Sequence, residues 1–185
     1  MTRALLVIDV QRDFTEKMDG GPDLARRITD YLREHRGDYD LVVASRDWHD
    51  AVGDNGGHFP AAPEGSADPY IRHCVAGSEG AAYDPSFDDS LVDVHVKKGQ
   101  GIPGYSLFTG VTEDGIPFPQ FVAERGIDRV TLVGLATDFC VRAGALDAAD
   151  AGCEVDVLLD LCLGMTDESI ARAVQEMEAA GVVVS

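Results

Sequence analysis

The chain has 185 residues and a formal net charge of −18 at pH 7. That length fits one domain with a sizeable core, and a surface this acidic repels nucleic acid and anionic membrane. No apolar run approaches bilayer-spanning length and the first residues show no secretory leader pattern, so a cytoplasmic protein with no nucleic-acid or membrane partner is expected.

Ala4 to Ile8 is a continuous apolar run closed by Asp9. This is the pattern of a parallel strand buried on both faces, with a carboxylate at its carboxyl end. A loop with Gln11, Asp13 and Phe14 follows. Pro22 suits the first turn of a helix, whose apolar stripe is Leu24, Ile28, Tyr31 and Leu32, through to about His35. Leu41 to Ser45 reads as a second strand. At its end come Asp47 and His49, and residues two apart on an extended segment face the same way. Residues 50 to 90 are rich in Gly, Pro, Asp and Ala and lack periodicity. A connection this long inside a compact domain is usually functional; it carries His58, Tyr70, His73 and Cys74.

Leu91 to Val96 is a third strand, ended by Lys97-Lys98-Gly99, and a loop with Gly and aromatic residues runs from Gly101 to Phe108. Pro117 to Arg125 forms a short helix and Val130 to Leu135 a fourth strand. A helix from Val141 to Ala151 stops at Gly152. Glu154 to Leu159 is a fifth strand, Thr166 caps a helix from Asp167 to Ala180, and Val182 to Val184 is a sixth strand. Strands alternating with helices specify an α/β fold with a mostly parallel, six-stranded sheet, in a single domain spanning residues 1–185.

Ligands of such sheets bind just outside the carboxyl ends of the strands, and Asp9, Asp47, His49, Lys98 and Cys140 all fall there. Cys140 sits where a strand hands over to a helix. The positive end of the helix dipole there lowers a thiol pKa, and free N–H groups can hold a developing oxyanion. Taken alone, the stretch Val133 to Val141 favours a buried, inert cysteine. An acid, a lysine and a metal-type pair at the ends of consecutive strands reverse that balance. Asp9, Lys98 and Cys140 make a nucleophilic set, in which a carboxylate takes the thiol proton and a lysine stabilises the thiolate. Asp47, His49, His58 and His73 make a set suited to one divalent ion, Zn²⁺, Fe²⁺ or Mn²⁺. His35 and His95 read as structural, as do Cys153 and Cys162. None of the four cysteines is in C-x-x-C spacing, so neither a zinc knuckle nor a redox pair is indicated.

The stretches Leu6 to Phe14, Ser45 to His49, His73-Cys74-Val75 with Ser78-Glu79-Gly80, Lys98-Gly99 with Tyr105-Ser106, and Val133 to Val141 occur in an order and spacing that resembles the nicotinamidase/pyrazinamidase branch of the isochorismatase-like cysteine hydrolases. The resemblance spans nearly the whole chain. It implies a three-layer, Rossmann-like α/β/α fold. It makes Cys140 the nucleophile, Asp9 the general base and then acid, and Lys98 the third member of a triad. Ala136 and Cys140 would offer the oxyanion-hole N–H groups, beside a cis peptide at Leu135–Ala136. Asp47, His49 and His73 would hold the metal, zinc first among the candidates, with His58 as a further ligand. Phe14 and Tyr70 would sandwich the flat ring, with Leu135, Ala136 and Tyr105 also against the substrate. The implied reaction converts nicotinamide to nicotinic acid, a precursor for NAD salvage, in a monomer or homo-oligomer.

Three positions depart from the family pattern: Tyr70 where Trp is usual, Phe139 before the nucleophile, and Arg72 before His73 where an acid is common. Other readings stay open. One is a related cysteine amidase acting on a non-pyridine amide or ureido compound, whose relatives generally lack the metal motif. Another is a non-catalytic binding protein on the same fold. A third, a vinyl-ether hydrolase, does not need Cys140.

Overall fold

The computed structural model describes residues 2–59 and 72–185. Its strands are β1 (Thr2–Ile8), β2 (Leu41–Asp47), β3 (Val94–Lys98), β4 (Val111–Thr112), β5 (Ile127–Leu135), β6 (Glu154–Leu163) and β7 (Val183–Val184). They form one sheet ordered β4-β3-β2-β1-β5-β6-β7. Every neighbouring pair is parallel except β3–β4.

The sheet thus has seven strands rather than the six expected. The addition is β4, two residues paired antiparallel to the end of β3 through Val96↔Thr112 and Lys97↔Val111. Two residues are too few to show a period of two, so only the partner strand reveals it. The third strand also begins later than expected. Asp89–Leu91 forms a 3₁₀ turn whose Ser90 N–H is accepted by the Asp88 side chain, and the strand then runs through Lys98. Arg12–Thr15, read as loop, is a single helical turn (α1), and β6 continues four residues beyond its expected end, to Leu163.

The longer helices are α2 (Gly21–His35), α3 (Phe118–Arg125), α4 (Arg142–Asp150) and α5 (Asp167–Ala179). Central β1 explains the layering. Leu5 and Val7 point to one face and pack in a core with Leu24, Ile28 and Leu32 of α2. Ala4, Leu6 and Ile8 point to the other and share a core with Phe118 and Phe121 of α3, Ala145 and Ala148 of α4, and Met177 of α5. Both faces are covered, so β1 is apolar at every position rather than at alternate ones. Each fully buried Leu or Ile contributes roughly 1.5–3 kcal/mol relative to exposure. The three-layer α/β/α arrangement is therefore as expected.

Thr166 caps α5 with a reciprocal bond to Ser169. The chain passes from β1 to β2 on one side, while β5 lies on the other, so strand order reverses between β1 and β5. The crevice at such a switch point is where open α/β sheets bind ligands. Among the described residues, no helix is long and apolar enough to cross a membrane.

Candidate active site

Four adjacent strands each place one group at the same sheet edge. Across the sheet, β3 gives Lys98, β2 gives Asp47, β1 leads into Asp9, and β5 leads into the turn with Cys140. All four side chains are buried. Lys98 Nζ lies 2.9 Å from Asp9 Oδ2 and 3.5 Å from Cys140 Sγ. It also donates a short hydrogen bond to Asp47 Oδ1. Lys98 is directly opposite Asp47 in the β2–β3 register, so a lysine that sequence would allow on the surface is instead the hub of the cluster. Ser45 Oγ donates to Asp9 Oδ1 at 2.7 Å.

Burial sets the protonation of this cluster, and the charges then correct it. Burial pulls the Lys98 pKa down, but the carboxylates of Asp47 and Asp9 overcome this and hold it well above its ordinary value. Burial raises Asp9; Lys98 opposes and Asp47 reinforces, and the net direction is up. Burial also pushes Asp47 up, but Lys98, His49 and His73 overcome it and hold Asp47 well below the usual carboxylate range. The Cys140 thiol is raised well above its ordinary value by burial, with Lys98 opposing. This corrects the expectation of a thiol made acidic by a helix terminus. Removal from water outweighs the lysine, so the buried thiol is harder to ionise than an exposed one.

One lysine faces two buried carboxylates. The surplus negative charge is directed toward the histidines, where Asp47 Oδ2 lies 3.5 Å from His49 Nε2 and 3.7 Å from His73 Nε2. His58 Nε2 is 3.4 Å from His73 Nε2, and ligand atoms of His49, His58 and His73 all lie within 4.8 Å of one another. His49 Nδ1 is hydrogen-bonded to Gly99 O at 2.9 Å. Its Nε2 is buried and, among the described residues, has no hydrogen-bond partner; it faces Asp47 Oδ2. His58 is pushed down to about 4, by burial first and then by neighbouring His49, which keeps it neutral and available as a ligand. Three imidazoles close to one another, with the Asp47 carboxylate beside two of them and one nitrogen unpartnered among the described residues, fit a divalent metal ion.

Gly99 fits this cradle closely. Its φ is +82°, and a Cβ there would sit 2.5 Å from His49 Cε1. Gly99→Ala is expected to push the His49 ring aside and weaken metal binding by roughly 10–100-fold, the range for losing a group that orients a ligand. Titration with a zinc-competing chelator measures this, and an affinity equal to wild type would remove Gly99 from that role.

The cluster floors a cavity of about 260 Å³. Cys140, Asp47, His58 and His73 line it, together with Phe14, Tyr105, Leu135 and Ala136. Phe14 lies against His73, ring centroids 5.3 Å apart, and Tyr105 against His58 at 5.8 Å. Tyr70 lies outside the described residues. The Leu135–Ala136 peptide is cis. After it comes a wide turn, Thr137–Val141, in which the N–H groups of Phe139 and Val141 both donate to Ala136 O. Regular helix begins at Arg142, one residue later than expected.

Residues 3–185 match the isochorismatase domain model. The chain belongs to the isochorismatase domain family. It is 42% identical over 184 residues to a nicotinamidase/pyrazinamidase of Mycobacterium tuberculosis, covering 97% of this chain and 96% of that one. Among solved structures it is similar to a Pyrococcus horikoshii pyrazinamidase in complex with zinc, with a TM-score of 0.77, 31% identity and coverage of 100% and 99%. It is also similar to an L. infantum protein in complex with nicotinate, with a TM-score of 0.80, 28% identity and coverage of 100% and 92%.

Several residues about the site were not singled out by sequence reasoning. Met18 and Met165 line the cavity and lie on loops with no periodic or motif signal; Phe139, noted as a departure from the family pattern, lines it too. Gln11 was visible only as part of a motif. Its side chain is fully buried, donating to Asp47 O and Ala81 O at 2.9 Å each and accepting from Asp47 N at 2.8 Å. It therefore pins the end of β2 to the loop that follows His73. Arg72, a departure from the family pattern, donates to Ala51 O and Gly53 O, tying the two described ends of the long loop together. His95 is structural as expected, hydrogen-bonded to the Tyr83 hydroxyl at 2.9 Å.

Proposed function

We propose that this chain is a nicotinamidase that hydrolyses the carboxamide of nicotinamide to nicotinic acid and ammonia through a thioester on Cys140. Pyrazinamide is a second substrate, and the product serves NAD salvage. The observation that carries this reading is Lys98 Nζ within reach of both Asp9 and Cys140 on the floor of a small aromatic cavity, beside a histidine cluster suited to a metal. The activities named for the relatives, and the zinc and nicotinate of the solved structures, support it.

Asp9 is the general base. Its raised pKa makes it a better proton acceptor than an ordinary carboxylate. It takes the thiol proton as sulfur adds to the amide carbon, and Lys98 holds the negative charge beside the sulfur. The N–H groups of Ala136 and Cys140 receive the oxyanion. Asp9 returns its proton to the departing ammonia, and a thioester remains. Asp9 then deprotonates water, which attacks the thioester and releases the acid and the thiol. Asp47, His49, His73 and His58 would hold a divalent metal ion, which would supply Lewis acidity toward the pyridine nitrogen. Phe14 and Tyr105 flank the ring, and Leu135 and Ala136 also line its cavity. A cysteine amidase for ureido compounds would not need the histidine cluster, which is why the metal set favours the pyridine carboxamide.

The purified, zinc-loaded protein is expected to release ammonia from nicotinamide at neutral pH, one per nicotinic acid formed. A folded, zinc-loaded sample that releases none would overturn the reading, and a panel of ureido compounds and non-pyridine amides would then identify the substrate.

A further inference from the structure

The mechanism above gives no work to Asp138, although it is buried and lies two residues before the nucleophile. Its carboxylate bonds out of the active-site turn to the next element of the chain. Oδ1 accepts from Met165 N at 3.1 Å, and Oδ2 accepts from Ser169 Oγ at 2.6 Å. Met165 belongs to the connection between β6 and α5, and Ser169 to the first turn of α5. Ser169 is itself fixed by the capping bonds it makes with Thr166, at 3.2 Å from Thr166 N and 2.8 Å between the hydroxyl oxygens. Between them, Gly164 leaves room for the contact: a Cβ there would lie 2.9 Å from Asp138 Oδ1 and 2.5 Å from Ile170 Cγ1. From within, the turn is closed by the bonds of Phe139 N and Val141 N to Ala136 O. From outside, Asp138 supplies two side-chain ties to the neighbouring element. The same carboxylate is bonded to the backbone of Met165, which lines the cavity mouth.

We infer that Asp138 is a positioning residue: by tying the nucleophile turn to the capped start of α5, it fixes where Cys140 Sγ stands relative to the bound carbonyl carbon. A turn of this kind is wide, and the sulfur must stand within about 3–3.5 Å of the carbon it attacks. An anchor that carries charge and accepts two hydrogen bonds holds its angle better than packing alone. Asp138 touches neither substrate nor the reacting atoms. This inference rests on Cys140 being the nucleophile.

The test compares two ligands. Pyridine-3-carbaldehyde is the substrate with hydrogen in place of the amide NH₂. Its carbonyl carbon can bond to Cys140 Sγ while the thiol proton passes to the carbonyl oxygen, giving a thiohemiacetal with no other reactant. Nicotinate fills the same cavity without that bond. In Asp138→Asn the amide oxygen still accepts from Met165, but the bond from Ser169 Oγ to a carboxylate is lost. The expected result is aldehyde affinity down at least about 10-fold, kcat for nicotinamide down by a similar factor, and nicotinate affinity within about twofold of wild type. Ser169→Ala, which removes only one hydroxyl at the start of α5, is expected to shift aldehyde affinity in the same direction, and the double variant to fall short of the sum. Unchanged aldehyde affinity and kcat in both variants, or an equal loss for aldehyde and nicotinate alongside a lowered melting temperature, would overturn the positioning role. Failure of the underlying reading looks different: Cys140→Ala would then bind the aldehyde as tightly as wild type.

Discussion

Cys140→Ala is expected to lower kcat for nicotinamide by about 10⁴-fold or more, the scale seen when a nucleophile is removed from a set that acts as a unit. The fold should survive. Cys140 is buried at a turn closed by backbone bonds from Phe139 and Val141 to Ala136, and alanine keeps that backbone. Nicotinate should still bind, because the cavity walls of Phe14, Tyr105, Leu135 and the histidines are unchanged. Ammonia release, melting temperature and nicotinate affinity are the three measurements. Activity near wild type would remove Cys140 as nucleophile, and with it the role assigned to Asp9.

The second large effect is on stability. Lys98 has no exposed surface at its side chain and carries the only positive charge placed directly between Asp9 and Asp47 among the described residues. Lys98→Met keeps most of the volume but leaves two carboxylates buried without that partner. Breaking a buried pair by removing one member costs about 3–5 kcal/mol. The measurement is urea unfolding of chelator-treated protein, so that no metal ion substitutes for the lost charge. The pH dependence follows from the direction of the shifts. Asp9 is already raised by burial, and removing Lys98, which opposes that rise, lifts it further above its unfolded value. Such a group stabilises below its unfolded pKa and loses that contribution as pH rises through its folded pKa. The deficit of the variant is therefore smallest in acid and grows toward neutral pH. A midpoint equal to wild type at neutral pH would show that Lys98 is not the counter-ion of this cluster.

The element types were legible because each carries a local signal. The unbroken apolar run Ala4–Ile8 announces a strand covered on both sides, and Leu24, Ile28 and Leu32 announce one face of a helix. β4 was not legible, because a two-residue strand exists only through its pairing with Val96 and Lys97. The candidate site divides in the same way. Asp9, Asp47, Lys98 and Cys140 could be placed at strand ends from the sequence, since strand ends are local features. Their order across the sheet could not, because strand adjacency is a property of the whole chain.

The sequence by itself determined the chemical inventory: an acid, a lysine, a thiol and a set of histidines, at one edge of a parallel sheet. Only the tertiary structure decided how those groups act on one another. It put Lys98 against both carboxylates and the sulfur, turned His49 Nε2 toward the histidine cluster, and joined Asp138 to Ser169 across 31 positions of chain. It also reversed one expectation, raising the thiol pKa by burial where a helix terminus alone would lower it. The physical reason is burial. A side chain's identity is written in the sequence, but its protonation and its partners depend on how much water the fold removes and which charges it leaves nearby.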